Sequence, residues 1–225
     1  MLDIGFEIIP LGKVKENSYI LVGSRYRERE NTFYEFGSKP LSEISTLLRG
    51  ISFPKSAQNT FISNDSLKIV TTRAAQSEGI KEDEIIYVDN SYLKQDRLLQ
   101  KDDILISIAN SLKLLGRVTY VDSIEDNTSF GAFMGVIRVN KDKALPKFVY
   151  YLLQSKVVKQ YFVTYAKTTT NISNITFEDL NELILPMPDL YTQQRIINEL
   201  DGYQRIIDGA RSVVDSYTPK IQIQK

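Results

Sequence analysis

The sequence predicts an α/β fold of the α+β type: a compact, mostly antiparallel β-region flanked by helices and followed by one long C-terminal helix. Three observations predict it. Short apolar segments occupy 66–72, 84–89, 102–109, 116–122 and 131–139. Polar turns separate them and no helical pattern intervenes, which disfavours a sheet of parallel βαβ units. One aromatic-rich helical pattern comes late, from about Pro146 to Tyr165. An apolar repeat with spacing 4, 3, 4, 3, 4, 3 then runs toward the C-terminus.

In order along the chain, residues 1–38 carry five Lys/Arg against six acids and show no clear period. They read as an arm or as a remnant of something larger. Ser38-Lys39-Pro40 marks the entry to the core. Leu41 to Leu48 reads as a short helix that Gly50 stops. The clearest strand is 103–108, where Ile104, Ile106 and Ile108 share one face. Pro146 suits the first position of the late helix, and Phe148, Tyr151, Leu152, Val158, Phe162 and Tyr165 fall on one arc of it. Thr176 and Asp179 sit at capping-box spacing, with Asp in place of Glu or Gln. Leu183 to Pro188 is extended, because each proline restricts the residue before it. A final helix spans about Thr192 to Tyr217. Its seam is Ile196, Leu200, Tyr203, Ile207, Ala210, Val214 and Tyr217, an a/d heptad pattern. The seam predicts a partner helix; the alternative is an amphipathic helix lying on its own core. The resulting division is 1–38, an arm; 39–190, the core domain; and 191–225, a projecting helix.

Composition removes most site chemistry. The 225 residues contain no Cys and no His. Disulfide frameworks, thiol nucleophiles, zinc knuckles and histidine-based triads or metal sites are therefore excluded. Glu82-Asp83-Glu84 and Asp102-Asp103 are carboxylate runs that a turn and a strand start explain, and neither has calcium-loop spacing. There is no P-loop and no dinucleotide fingerprint. No catalytic or metal-binding residue is assigned, and binding readings come first. No apolar run approaches the ~20 residues of a membrane helix. Met1 to Pro10 carries Asp3 and Glu7 without a basic region, unlike a signal peptide. A cytoplasmic location is expected.

Lys+Arg and Asp+Glu are each 28, so net charge is zero, but its distribution is uneven. From Lys143 through Phe177 there is no Asp or Glu, while five lysines, Lys167 among them, alternate with aromatics. The stretch runs into Thr168-Thr169-Thr170-Asn171. Such a segment fits a phosphate backbone, whose condensed counterions cations replace, and its hydroxyls and amides can bond phosphates or base edges. The plain alternative is a helix core with a solvated lysine face. Asn110, Ser111 and Lys113 lie on a loop between two strands, where they could face a ligand or simply form a hairpin turn at Gly116. Arg73 follows the strand 66–72. Arg is the commonest reader of guanine, although an Arg at a strand end more often forms a surface ion pair.

The order of these pieces resembles a known family. Pro40-Leu41-Ser42-Glu43-Ile44 with Arg49-Gly50-Ile51-Ser52-Phe53 looks like the opening of a target recognition domain of type I restriction-modification specificity subunits. Asp102-Asp103-Ile104-Leu105-Ile106-Ser107, then Gly116-Arg117-Val118, resembles that family's "GDILIS…G" strand-loop-strand, with Asp102 in place of Gly. Thr170-Asn171-Ile172 with Phe177-Glu178-Asp179-Leu180 resembles its "NI…L" segment. Leu185-Pro186-Met187-Pro188, then Gln193-Gln194-Arg195-Ile196-Ile197, looks like its proline-rich junction into a conserved helix, with Thr192 in place of Glu. Together they cover about 39–217. Asn17-Ser18-Tyr19-Ile20-Leu21 through Arg25-Tyr26 resembles the tail that follows the catalytic domain of N6-adenine DNA methyltransferases, which would make the chain the C-terminal part of a fused enzyme.

The resemblance implies a twisted β-region that grips one part of a bipartite site on double-stranded DNA. It implies that the conserved helix forms a coiled coil, sets the spacing to a second recognition domain and docks an N6-adenine DNA methyltransferase. S-adenosylmethionine would bind that partner or an absent fused domain; no cofactor is expected in this chain. One recognition domain with no internal repeat makes a homodimer the simplest way to supply the second. The expected function is sequence-specific DNA recognition that directs methylation and restriction by partners, without catalysis by this chain. Arg73, Asn110, Ser111, Lys113, Lys167, Thr168, Thr169, Thr170 and Asn171 are the residues expected at the DNA. Lysines would meet phosphates, and Arg73, Asn110 and Asn171 would meet base edges. The rival reading is an interaction module that dimerises through its heptad helix without binding DNA. A third is a small enzyme using carboxylates or tyrosines.

Overall fold

A computed structural model describes residues 37–58, 66–168 and 172–217. In chain order the elements are β1 (Ser38–Pro40), α1 (Leu41–Ile44), β2 (Ser45–Arg49), β3 (Leu67–Val70), β4 (Ala75–Gln76), β5 (Gly79–Ile80), β6 (Ile86–Val88), β7 (Ile104–Ser107), β8 (Ala109–Asn110), β9 (Val118–Tyr120), β10 (Thr128–Phe130), β11 (Met134–Val139), α2 (Pro146–Gln154), α3 (Lys156–Tyr165), β12 (Lys167–Thr168), β13 (Ser173–Asn174), α4 (Phe177–Asn181), β14 (Ile184–Pro186) and α5 (Leu190–Ser216). The predicted α+β class holds, and most strand pairs are antiparallel.

The sequence alternation of 104–108 explains the layering. β7 lies inside a four-stranded sheet of order β2-β11-β7-β9, and all four of its residues are buried. Successive side chains of a strand point to opposite faces. Ile104, Ile106 and Ile108 enter a core shared with Leu41, Ile44, Val149, Leu153, Phe162 and Leu185. Leu105 enters a second core with Val70, Val121, Phe130 and Val136. Helices therefore cover one face. The other is covered by a smaller sheet of order β10-β3-β6, in which β10 runs parallel to β3.

Polar residues at the start of β7 are held tightly. Asp103 is buried and receives Arg138 through two bonds, Nε to Oδ1 at 2.8 Å and Nη2 to Oδ2 at 2.7 Å. Asp102 takes a positive φ of 72°, where glycine is favoured. This gives a physical reason for the glycine in the resembling motif. Here the Asp102 carboxylate accepts from Tyr120 Oη at 2.8 Å and Lys141 Nζ at 2.6 Å, which offsets the backbone cost. Burial works against its charge, but the Lys141 ammonium and the Tyr120 hydroxyl hold its carboxyl below the usual carboxylate range.

Three local expectations need correction. The helix expected over Leu41 to Leu48 stops at Ile44, and 45–49 pairs as a strand with β11. Partners some ninety residues downstream in sequence override the local pattern. Gly50 is then no helix stop. A Cβ at Gly50 would lie 2.1 Å from the Gly131 carbonyl oxygen, so two backbones touch there. The helix expected over 146–165 breaks at Ser155, which is extended and caps α3 through Oγ to Val158 N at 3.3 Å. The six-residue arc is thus divided. Phe148, Val158 and Phe162 are buried, while Tyr151, Leu152 and Tyr165 are only half-buried. β10 was not anticipated; three residues are too few to show an alternation. Pro146 at the start of α2 and the Thr176–Asp179 capping box are both as expected.

The long helix α5 is fixed at its base. Gln193 is fully buried. Its Oε1 accepts from Leu145 N at 2.8 Å, just before α2, and its Nε2 donates to Pro188 O at 2.8 Å. Asp201 then accepts from Lys147 Nζ at 3.1 Å and from Tyr151 Oη on α2. Burial and the Asp201 hydrogen bond push the Tyr151 hydroxyl pKa upward. Beyond Gly202 the helix is exposed throughout. Of the heptad seam, Ile196 and Leu200 are half-buried against the domain. Tyr203, Ile207, Ala210, Val214 and Tyr217 lie open, joined by Ile206 and Val213. No helix among the described residues is long and apolar enough to cross a membrane.

Two stability measurements check this account. Asp102→Gly is expected to keep urea stability within about 1 kcal/mol of wild type, and Asp102→Ala to fall about 1–2 kcal/mol below the glycine variant, because alanine has neither the bonds nor the freedom. Gln193→Ala strands the Leu145 amide and the Pro188 carbonyl, and is expected to cost about 2–4 kcal/mol in the same assay.

Candidate functional site

At the C-terminal end of β7 the sheet gives way to loops. β8 leaves β7 and pairs with β13, which pairs with β12. The register places Asn110 against Ser173, and Ser173 against Thr168. Thr168 Oγ1 and Ser173 Oγ are 3.0 Å apart. The structure therefore gathers Asn110, Ser111, Lys113, Lys167 and Thr168 from two distant segments onto one small sheet and its adjoining loop. Gly116 closes that loop with φ +71°, and a Cβ there would sit 2.1 Å from the Phe162 ring. The loop is pressed onto α3, as a hairpin needing glycine implies.

Arg117 ties a third segment to this end. Its Nη1 donates to Gln76 Oε1 at 2.8 Å and its Nη2 to the Thr72 carbonyl. The turn carrying Arg73 is thus held beside the start of β9. Thr169, Thr170 and Asn171 lie outside the described residues, as does 17–26.

Side-chain commitments divide the expected contacts. The Arg73 guanidinium pairs with Glu84 at 2.9 Å, although it stays 78% exposed. Asn110 uses both ends of its amide locally: Nδ2 donates to Ser107 Oγ at 3.2 Å, and Oδ1 accepts from Ser111 N at 2.8 Å. In this state both hold loops in shape. Ser111, Lys113, Lys167 and Thr168 are exposed. The acid-free stretch does not form one basic face. Lys143 donates to the Glu43 carbonyl and Lys147 pairs with Asp201, while Lys156, Lys159 and Lys167 face solvent.

Residues not singled out from the sequence complete this end. A groove of about 350 Å³ is lined by Phe53, Lys55, Gln58, Thr71, Thr72 and Phe133, among others, and no lining residue is acidic. Phe133 is 62% exposed at the tip of the 131–133 turn. Its carbonyl accepts from Ile108 N at 3.0 Å and Ala109 N at 3.3 Å, directly before Asn110. A larger groove, of about 500 Å³, is of opposite character, with Glu82, Asp122 and Glu125 beside Lys68, Tyr87 and Tyr120. In sequence Phe133 resembles any strand-starting aromatic, and only its exposure distinguishes it. Lys55 and Gln58 belong to a segment without periodicity.

Comparisons with known proteins agree with this architecture. Residues 35–211 match the family described as "Type I restriction modification DNA specificity domain". The StySPI specificity subunit of a type I restriction enzyme from Salmonella potsdam is 22% identical over 177 residues, 79% of this chain and 38% of that protein. The EcoKI specificity subunit from Escherichia coli (strain K12) is 22% identical over 173 residues, 77% of this chain and 37% of that protein. The chain thus spans under two fifths of the length of these relatives. The crystal structure of a type I restriction-modification S subunit from M. genitalium superposes with a TM-score of 0.55 at 19% identity, over 84% of this chain and 44% of that one. It supports the fold. Residues 17–26 precede the matched residues.

Proposed function

The chain belongs to the type I restriction modification DNA specificity domain family, and on that premise we propose that it is a sequence-recognition module for double-stranded DNA. In this reading it directs methylation and restriction carried out by partner subunits or by a fused methyltransferase domain. The observation that carries the proposal is the convergence of Ser111, Lys113, Lys167 and Thr168, exposed, at one end of the sheet. Lys113 and Lys167 meet phosphates, where a compact ammonium serves as a point charge. Ser111 and Thr168 offer hydroxyls that bond either phosphates or base edges. Thr169, Thr170 and Asn171 follow Thr168 in sequence and belong to the same proposed contact. Arg73 joins it by exchanging Glu84 for DNA. S-adenosylmethionine and the transfer chemistry are assigned to an N6-adenine DNA methyltransferase, outside this chain.

The open part of α5 supplies the second half of the proposal. Tyr203, Ile206, Ile207, Val213, Val214 and Tyr217 form an apolar strip that is exposed among the described residues. Such a seam pairs with another helix, either a second copy or a second recognition domain, and spaces two DNA contacts along a bipartite site. The same strip favours the rival reading, in which the chain is an interaction module without DNA.

Fluorescence anisotropy with a randomised duplex pool at two salt concentrations, followed by sequencing of retained DNA, separates these readings. Wild type is expected to bind and to enrich a short motif. Lys113→Ala and Lys167→Ala are each expected to lower the slope of log affinity against log salt by about 1. Folded protein that binds no duplex at low salt rejects DNA recognition. For the helix, Ile207→Asp with Val214→Asp is expected to halve the sedimentation mass of a dimer. An unchanged mass rejects pairing through this seam.

A further inference from the structure

Two grooves flank the sheet, and their chemistry sorts them. One carries three carboxylates and repels a polyanion. The other has Lys55 and no acid in its lining, and its Phe133 is tied by its carbonyl to the Ile108 and Ala109 amides, just before Asn110. Phe133 stands at the edge of this second groove with 62% of its surface exposed. Leaving an aromatic ring in water forfeits about 1.5–3 kcal/mol of burial. The turn beneath it is anything but loose. Gly131 N donates to Val70 O at 3.0 Å, Met134 N to Gly131 O at 2.8 Å and Gly50 N to Met134 O at 3.2 Å, and the Phe133 carbonyl takes the two amides of β7–β8. An exposed ring on so rigid a base is preorganised for contact.

Resting on the recognition reading, we infer that Phe133 is a specificity-determining residue that seats the 5-methyl group of a thymine. Among groups displayed on base edges in the major groove, that methyl is the apolar one, and it is read by apolar side chains. Ile51, Phe53, Ala132 and Met134 supply an apolar floor beside Phe133, while Gln58, Thr71 and Thr72 supply hydrogen-bonding groups for the neighbouring base edges. Insertion of the ring between base pairs is the less favourable geometry, because unstacking a step costs a few kcal/mol. Phe133 contributes no charge. Its contact is therefore independent of salt, unlike those of Lys113 and Lys167.

The test uses the full chain and the duplex that wild type enriches. Each thymine of the motif is replaced in turn by deoxyuracil, which removes the methyl alone. One position is expected to lower wild-type affinity roughly fourfold, the worth of one buried methyl. Phe133→Ala is expected to bind the thymine duplex roughly 10- to 100-fold more weakly, with an unchanged salt slope and no sensitivity to uracil at that position. Phe133→Leu keeps an apolar contact and is expected to retain part of the discrimination. Equal uracil sensitivity in wild type and Phe133→Ala overturns the inference, as does a wild-type motif in which no thymine matters. Loss of methyltransferase binding by Phe133→Ala with DNA affinity intact also overturns it and reassigns the ring to a protein contact. A wild-type chain that binds no duplex removes the recognition reading itself, which is a different result from any of these. Unchanged thermal unfolding of both variants shows that the ring, and not the fold, was altered.

Discussion

The architecture depends on one constraint: β7 is buried on both faces. A strand with apolar side chains pointing both ways must be covered twice, and here helices cover one side and a second small sheet the other. Polar groups are then driven to the strand's two ends. The start of β7 is closed by internal pairing, with Asp103 held by Arg138 and Asp102 by Tyr120 and Lys141. The far end carries Ser107, Asn110 and the loops. Their backbones are internally bonded, but several of their side chains reach solvent. The same sheet thus has a sealed end and an open end. The candidate contacts are at the open one.

That division also explains what could be read from the sequence. The Ile104, Ile106, Ile108 alternation, Pro146, the Thr176–Asp179 box and the terminal heptads are local signals, and each corresponds to an observed feature. The failures are non-local. Residues 45–49 form a strand only because 135–139 lies alongside. The 128–130 strand is defined by a parallel neighbour at 68–70 and has too few residues to show a period of its own. Gly50 looked like punctuation and is a contact between two backbones. Among the candidate contacts, residue type pointed to Ser111, Lys113, Lys167 and Thr168, which the structure leaves exposed. It could not show that the Asn110 amide is used by its own loop, or that the Arg73 charge already has Glu84 beside it. Phe133 was illegible for the opposite reason: its sequence context reads as buried.

The long helix is governed by one amide. Gln193 bonds to the chain ahead of α2 and to the chain ahead of α5 itself, so both helices take their starting points from the same side chain. Asp201 repeats the connection two turns later through Lys147 and Tyr151. Between these two points α5 is part of the domain. After them its apolar residues are exposed, and the helix touches the domain again through Arg211 Nη1, 3.5 Å from Glu78 Oε1. A surface held at a fixed angle to the loops can act as a ruler in a way that a flexible tether cannot.

β1 and β14 are a small feature with a wider consequence. Ser38 lies opposite Pro186, and Pro40 opposite Ile184, in an antiparallel pair that joins the first described strand to the last. The chain therefore enters and leaves the domain at neighbouring points. A unit with adjoining ends adds little loop-closure entropy when spliced into a host chain. It can be repeated in tandem, exchanged whole, or rejoined in circularly permuted order without threading the polypeptide through itself. Evolution can treat such a domain as a cassette, exchanged as a unit while the frame around it stays the same.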